Sequence, residues 1–125
     1  SDGYLSALEI TGLNLSDTQL AVLSACSTAY GSLVSGEGMY GIQRSLAVAG
    51  ARSSLLSLWK VDDEATSEFM SRFYARLLLG ESRNGALLAT QAEFRDGIAH
   101  NGMWRHPYYW AAWQLVGDWR PIKGL

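Results

Sequence analysis

Apolar positions along this chain change period several times, and each change marks an element. Leu20 to Ala25 (LAVLSA) is a short, nearly unbroken apolar run between turn signals, which predicts a strand covered on both faces. Ser53 to Trp59 (SSLLSLW) repeats the pattern. Glu64 to Leu79 switches to helical spacing, with Phe69, Met70, Phe73, Tyr74, Leu77 and Leu78 on one stripe and Gly80 as the stop. Asn84 to Ile98 predicts a second such helix, with Leu87, Leu88, Gln91, Ala92 and Phe94 inward. Met39 to Ala49 carries Tyr40, Ile42, Leu46 and Val48 near helical spacing and closes on Gly50. Tyr108 to Val116 (YYWAAWQLV) predicts a third strand after a bend, with Gly102 to Pro107 as the loop before it. Ser6 to Thr11 predicts a short helix, capped by Ser6 with Glu9 three residues on. Asn14 to Thr18 is a polar turn, and the Ser- and Gly-rich Ser27 to Gly38 is a loop.

Strands alternating with helices predict an α/β fold with a parallel sheet covered on both sides. The first strand reads as central. Three strands alone would leave apolar edges open, so the pattern predicts further strands on the N-terminal side or a sheet completed by another molecule. Homodimerisation or strand exchange at the first strand is the corresponding expectation.

Composition narrows the function classes. The chain has 125 residues, 48% hydrophobic and 18% charged, which suits one domain with a packed core. Net charge is -2 and Lys occurs only at 60 and 123, so no basic footprint for nucleic acid is present. A single cysteine excludes an internal disulfide and an all-cysteine metal site, and fits a reducing, cytoplasmic setting. No apolar run reaches the roughly 20 residues needed to cross a bilayer. A start at Ser1 rather than Met reads as a segment cut from a longer polypeptide.

Four candidate sites each carry two readings. Gly36, Gly38 and Gly41 spell G-x-G-x-x-G, the dinucleotide fingerprint. That mechanism needs the first glycine directly after a strand, whereas several residues separate Ala25 from Gly36, and Glu37 puts a negative charge where phosphates would lie. A loop and close helix start is the competing reading. Cys26 is either a small buried hydrophobe or a nucleophile at the carboxyl end of a strand, where its own N–H can face an oxyanion. Its base would have to be a histidine, and only His100 and His106 occur, both in loop-like sequence. Asp62, Asp63 and Glu64 either cap a helix or form an acidic pocket for a basic substrate side chain. The tryptophans from Trp104 to Trp119 read as core packing, since basic residues are not interleaved as a nucleic-acid stacking platform requires.

In order, the runs VLSACSTAYG, GEGMYGIQRSLAVAGARSSLLSLWKVDDEAT, FMSRFYARLLLG, ALLATQAEFR and HPYYWAAWQLVGD resemble the C-terminal part of a CHAT domain, from Leu5 to Asp118. CHAT domains are often found behind tetratricopeptide repeats in bacteria. The resemblance implies a doubly wound, mostly parallel caspase-hemoglobinase fold and kinship with caspases and separases. It makes residues 1–125 the C-terminal part of one such domain and a cysteine endopeptidase the implied function. Cys26 matches the nucleophile of the L-S-A-C-x-T motif. Asp63 matches the acid of the L-W-x-V-x-D stretch, which in separases recognises an arginine before the scissile bond. No metal or organic cofactor is implied, and the implied partner is a protein or peptide substrate.

One departure stands out. The family's base is a histidine in a His-Gly motif before the segment that here begins Ser1-Asp2-Gly3, and the glycine N–H after it is expected to form half of the oxyanion hole. His100 and His106 match neither. The expectation is therefore that these residues alone are inactive and act with an upstream part of the parent. A caspase-like interaction or signalling module without catalysis is the alternative of a different class, and nucleotide binding at Gly36 to Gly41 a third.

Overall fold

A computed structural model describes residues 12–24 and 38–125 of the chain. It holds three strands, β1 (Ala21–Leu23), β2 (Ser53–Ser57) and β3 (Trp113–Gly117). Its helices are α1 (Gly38–Ala49), α2 (Asp63–Leu78) and α3 (Arg83–Arg95). Two 3₁₀ turns, Ala99–Gly102 and Pro107–Tyr109, lie between α3 and β3. The expected helix at Ser6 to Thr11 and most of the Ser27 to Gly38 loop lie outside the described residues.

The sheet order is β1-β2-β3. β1 and β2 pair in parallel, with Val22 opposite Leu55. β2 and β3 pair antiparallel, with Leu55 opposite Leu115. A wholly parallel sheet is thus found only at the first pairing. The reason is helix parity. One crossover helix returns the chain to start a parallel strand, but α2 and α3 are two helices packed on each other, and they bring the chain back to the edge where β2 ended. β3 must run back from there. Among the described residues the outer edge of β1 has no partner strand.

Alternation along β2 divides the core between two faces. Leu56 packs with Ile42 and Leu46 of α1, against Ala21 and Leu23. Leu55 faces Phe69, Phe73 and Leu77 of α2 and Leu87 and Phe94 of α3. Among the described residues the architecture is therefore a mixed sheet between a one-helix layer and a two-helix layer. β1 is half-buried on both faces, less deeply than an interior strand. Phe69 centres the larger core, 5.3 Å from the Phe94 ring and stacked 5.8 Å from Trp113. Trp104 and Trp113 are buried as packing residues, while Trp119 is exposed. The inward face of α3 is built from Ala86, Leu87, Thr90 and Phe94, and Leu88 points out. Of the α2 stripe, Tyr74 and Leu78 are exposed. Arg72 and Arg76 of α2 both reach Glu93 of α3, at 3.0 and 2.9 Å, and bind the helix pair along its solvent side.

The lower edge of the sheet, where β1 and β2 begin and β3 ends, is tied by one side chain. Arg83, the first residue of α3, is 1% exposed. Its Nη1 donates to the Asp118 carbonyl at 2.8 Å and to Ser53 Oγ at 3.1 Å, and its Nη2 donates to Gln19 Oε1 at 3.3 Å. Ser53 Oγ in turn donates to the Gln19 carbonyl at 2.5 Å. Burial lowers the Arg83 pKa, Asp118 opposes that, and the nearby Arg120 and Arg52 add to it. Asp118 takes a two-pronged ion pair from Arg120, at 3.0 and 2.8 Å. Those side-chain bonds first, then the Arg120 backbone N–H, hold the Asp118 carboxyl well below the usual carboxylate range. Gly117 makes the close approach possible. Its φ is +99°, and a Cβ there would land on the Arg52 carbonyl.

Two stability outcomes are expected. Arg83→Met strands acceptors on three segments, so it should cost about 2–4 kcal/mol in urea unfolding, against under about 0.5 kcal/mol for the surface change Lys60→Met; equal effects would show that the tie carries nothing. Asp118 has a depressed folded pKa, so its contribution is present above the unfolded value of about 3.9 and is lost as pH falls below it. Asp118→Asn should therefore flatten the loss of urea midpoint between about pH 5 and about pH 2, and an unchanged acid limb would contradict the assignment.

Candidate functional site

Parallel pairing carries β1 and β2 to the same upper edge of the sheet, with Leu23 level with Leu56. Both sequence-selected residues come after these strand ends. Cys26 is three residues beyond Leu23 and lies outside the described residues, as do Gly36 and Glu37 of the glycine pattern. Gly38 and Gly41 fall on α1, and the Gly41 carbonyl accepts from Ser45 Oγ at 2.7 Å inside that helix.

Asp63 is placed by a well-anchored turn. After Ser57 the chain leaves the sheet, and the Leu58 N–H donates to the Ala112 carbonyl at 2.7 Å. Trp59 Nε1 donates to the Tyr108 carbonyl at 2.9 Å, and Tyr108 Oη donates back to the Lys60 carbonyl at 3.0 Å. Val61 is buried beneath the turn. Asp62 then caps α2, its carboxylate accepting from the Ala65 N–H at 3.0 Å. Capping therefore accounts for Asp62, and it leaves Asp63 without that duty.

Asp63 is the first residue of α2, and its side chain is 92% exposed. Its one ion pair among the described residues is with Lys60 at 3.4 Å. Both partners are exposed, so water and salt leave this pair worth little, well under about 1 kcal/mol. A carboxylate so loosely held, on a rigid turn at the upper edge, is available to a cation from outside.

The two histidines have local structural work. His100 stacks on Trp104 with ring centroids 4.0 Å apart, in a left-handed backbone with φ of +48°. His106 Nδ1 accepts from the Tyr108 N–H at 3.1 Å and starts the Pro107–Tyr109 turn. That turn aims Tyr108 at Lys60, so His106 positions the Asp63 turn at second hand. The Trp59–Tyr108 clamp is the part of this edge that the amino-acid pattern conceals. The run Tyr108 to Ala112 has strand-like composition, and only Pro107 beside His106 hints at a turn.

The CHAT domain family model matches residues 1–118. Mouse tetratricopeptide repeat protein 28 is 32% identical over 114 residues, and its human counterpart 31% identical over 117 residues. Each alignment covers 91% of this chain but only 4% and 5% of those proteins, so the chain spans about one twentieth of the relatives it matches. No solved structure matches the chain. An ordered set of motifs, a mixed α/β layer structure and a match along nearly all of its length agree: the chain belongs to the CHAT domain family.

Proposed function

We propose that these residues form the nucleophile-bearing part of a caspase-like cysteine endopeptidase domain, within a parent that also carries tetratricopeptide repeats. The observation that carries the reading is the shared upper edge. β1 and β2 are neighbours and parallel, Cys26 comes after one, and the exposed, weakly paired Asp63 comes after the other. A nucleophile and a specificity acid that follow neighbouring parallel strands in sequence suit the thiol and the side-chain pocket of one bound peptide. The tetratricopeptide association rests on the two similar proteins that bear that name.

The chemistry is acyl transfer. The Cys26 thiolate attacks the scissile carbonyl carbon, the carbonyl electrons move onto oxygen, and backbone N–H groups take up that charge. The C–N bond then breaks and the amine leaves with a proton from a histidinium. Water, deprotonated by the same histidine, hydrolyses the thioester and regenerates the thiol. His100 and His106 match no catalytic position of the family and serve here in stacking and capping, which supports assigning that histidine to an upstream part of the parent. Asp63 supplies a charge partner for arginine or lysine before the scissile bond. The reading of the fragment as a doubly wound caspase-hemoglobinase sheet belongs to the same proposal.

Cys26→Ala in the parent protein should abolish cleavage of peptides with a basic residue before the scissile bond. Asp63→Ala should lower kcat/KM on those peptides by about ten- to a hundred-fold, the worth of one charge-assisted contact. Full activity in both variants would refute the assignment, and a wild-type parent that never labels at Cys26 with an electrophilic peptide would favour the non-catalytic interaction module. Residues 1–125 alone should show no turnover, and Cys26-dependent cleavage by them would show that the base lies within this segment.

A further inference from the structure

At the lower edge of the sheet, opposite the Asp63 turn, an open cleft of about 450 Å³ is bounded by Asp17, Gln19, Arg52, Arg83, Asp118, Arg120, Pro121 and Lys123. Its charged lining is unbalanced. Four cations face two carboxylates. Asp118 is the acid that both Arg120 and Arg83 use, at 2.8 Å and 3.9 Å. Arg52 and Lys123 have no ion pair among the described residues. With every group ionised the lining carries two positive charges in excess.

Three further observations give the imbalance direction. Arg83 is buried at this edge, and its Nε has no hydrogen-bond partner among the described residues. It is also the first residue of the 13-residue α3, so the positive end of that helix dipole adds to the side-chain charge. The cations arrive from separate segments: Arg52 just before β2, Arg120 just after β3, and Lys123 in the C-terminal tail. The tail is pinned by Gln19, which accepts from the Lys123 N–H at 2.9 Å and donates to its carbonyl at 2.6 Å. A planar carboxylate is satisfied by one guanidinium fork. Cations converging from several directions suit a tetrahedral anion of two charges.

The geometry points to a binding site for a phosphate dianion, free or as the head of a small monoester, held by Arg52, Arg120 and Lys123 over the Arg83 floor at the edge of the sheet opposite Asp63. The cleft volume is sufficient for such a ligand with a short substituent. The excess charge also raises the local concentration of anions at the mouth.

The test is thermal unfolding of this chain in inorganic phosphate and in glycerol 3-phosphate, each against potassium chloride of equal ionic strength, in wild type and in the exposed double variant Arg52→Ser/Lys123→Ser. A saturable rise in Tm beyond the chloride control, with the half-effect concentration increased on the order of ten-fold in the double variant, is expected. A larger effect of glycerol 3-phosphate assigns the site to a monoester, and an equal or smaller one to free phosphate. A phosphate effect no greater than that of chloride would overturn the proposal. So would a saturable effect unchanged in the double variant, provided both proteins unfold with the same cooperativity.

Discussion

The fold depends on a cation that has been taken out of water. Arg83 joins a residue just before β1, the first residue of β2 and the residue after β3, positions separated from it by 64, 30 and 35 residues. Burying a guanidinium costs several kcal/mol before any bond is counted. Geometry offsets that cost: two terminal nitrogens serve three segments, and Asp118 lies close enough to return part of the Coulomb energy. An apolar side chain of similar volume would fill the space without choosing a register. Directional donors fix which residue of each segment lies at the edge, a role for buried charge that is better supported than any gain in raw stability.

Register at one edge sets register at the other. β2 is only five residues long and buried throughout, so a one-residue slip would exchange Leu55 and Leu56 between the two cores. With Val22 held opposite Leu55, the ends of β1 and β2 are in step. The segment after each strand therefore starts from a defined place. The Asp63 turn gains a second constraint from the Trp59–Tyr108 clamp, which runs through the His106-capped turn. The acid is thus an exposed side chain on a backbone turn held by hydrogen bonds. That combination suits recognition of a charged group, because little backbone order has to be created on binding.

Local patterns make much of this legible. α2 is expected from Glu64 to Leu79 and runs from Asp63 to Leu78, because its Phe69–Phe73–Leu77 stripe is a property of consecutive residues. β2 is expected for the same reason. The direction of β3 follows from the two helices between β2 and β3, both of which the pattern predicts, so the expectation of a wholly parallel sheet fails on helix parity and not on any hidden residue. Arg83 is hidden by its type: an arginine at a helix start reads as solvated surface, and its burial comes from acceptors far away in sequence. On α3, Leu88 reads inward by hydropathy, yet Ala86 and Thr90 hold the buried positions. Small residues let that helix approach α2 closely, and Thr90 satisfies its hydroxyl on the Ala86 carbonyl at 2.8 Å. Of the candidate site, Asp63 is legible only through the family resemblance, since three successive acids at a helix start are equally good capping groups. The structure separates them by giving the cap to Asp62.

The two edges of the sheet carry opposite signs, an exposed acid above and an excess of cations below. They are a strand length apart, about 16 Å for five residues. At physiological salt the screening length is about 8 Å. Charge at one edge is therefore only weakly felt at the other. Any influence of the lower edge on the upper must travel through the strands themselves. Arg83 is where such an influence would enter, because it touches β2 directly and β1 through Gln19, and those are the two strands that lead to Asp63 and toward Cys26.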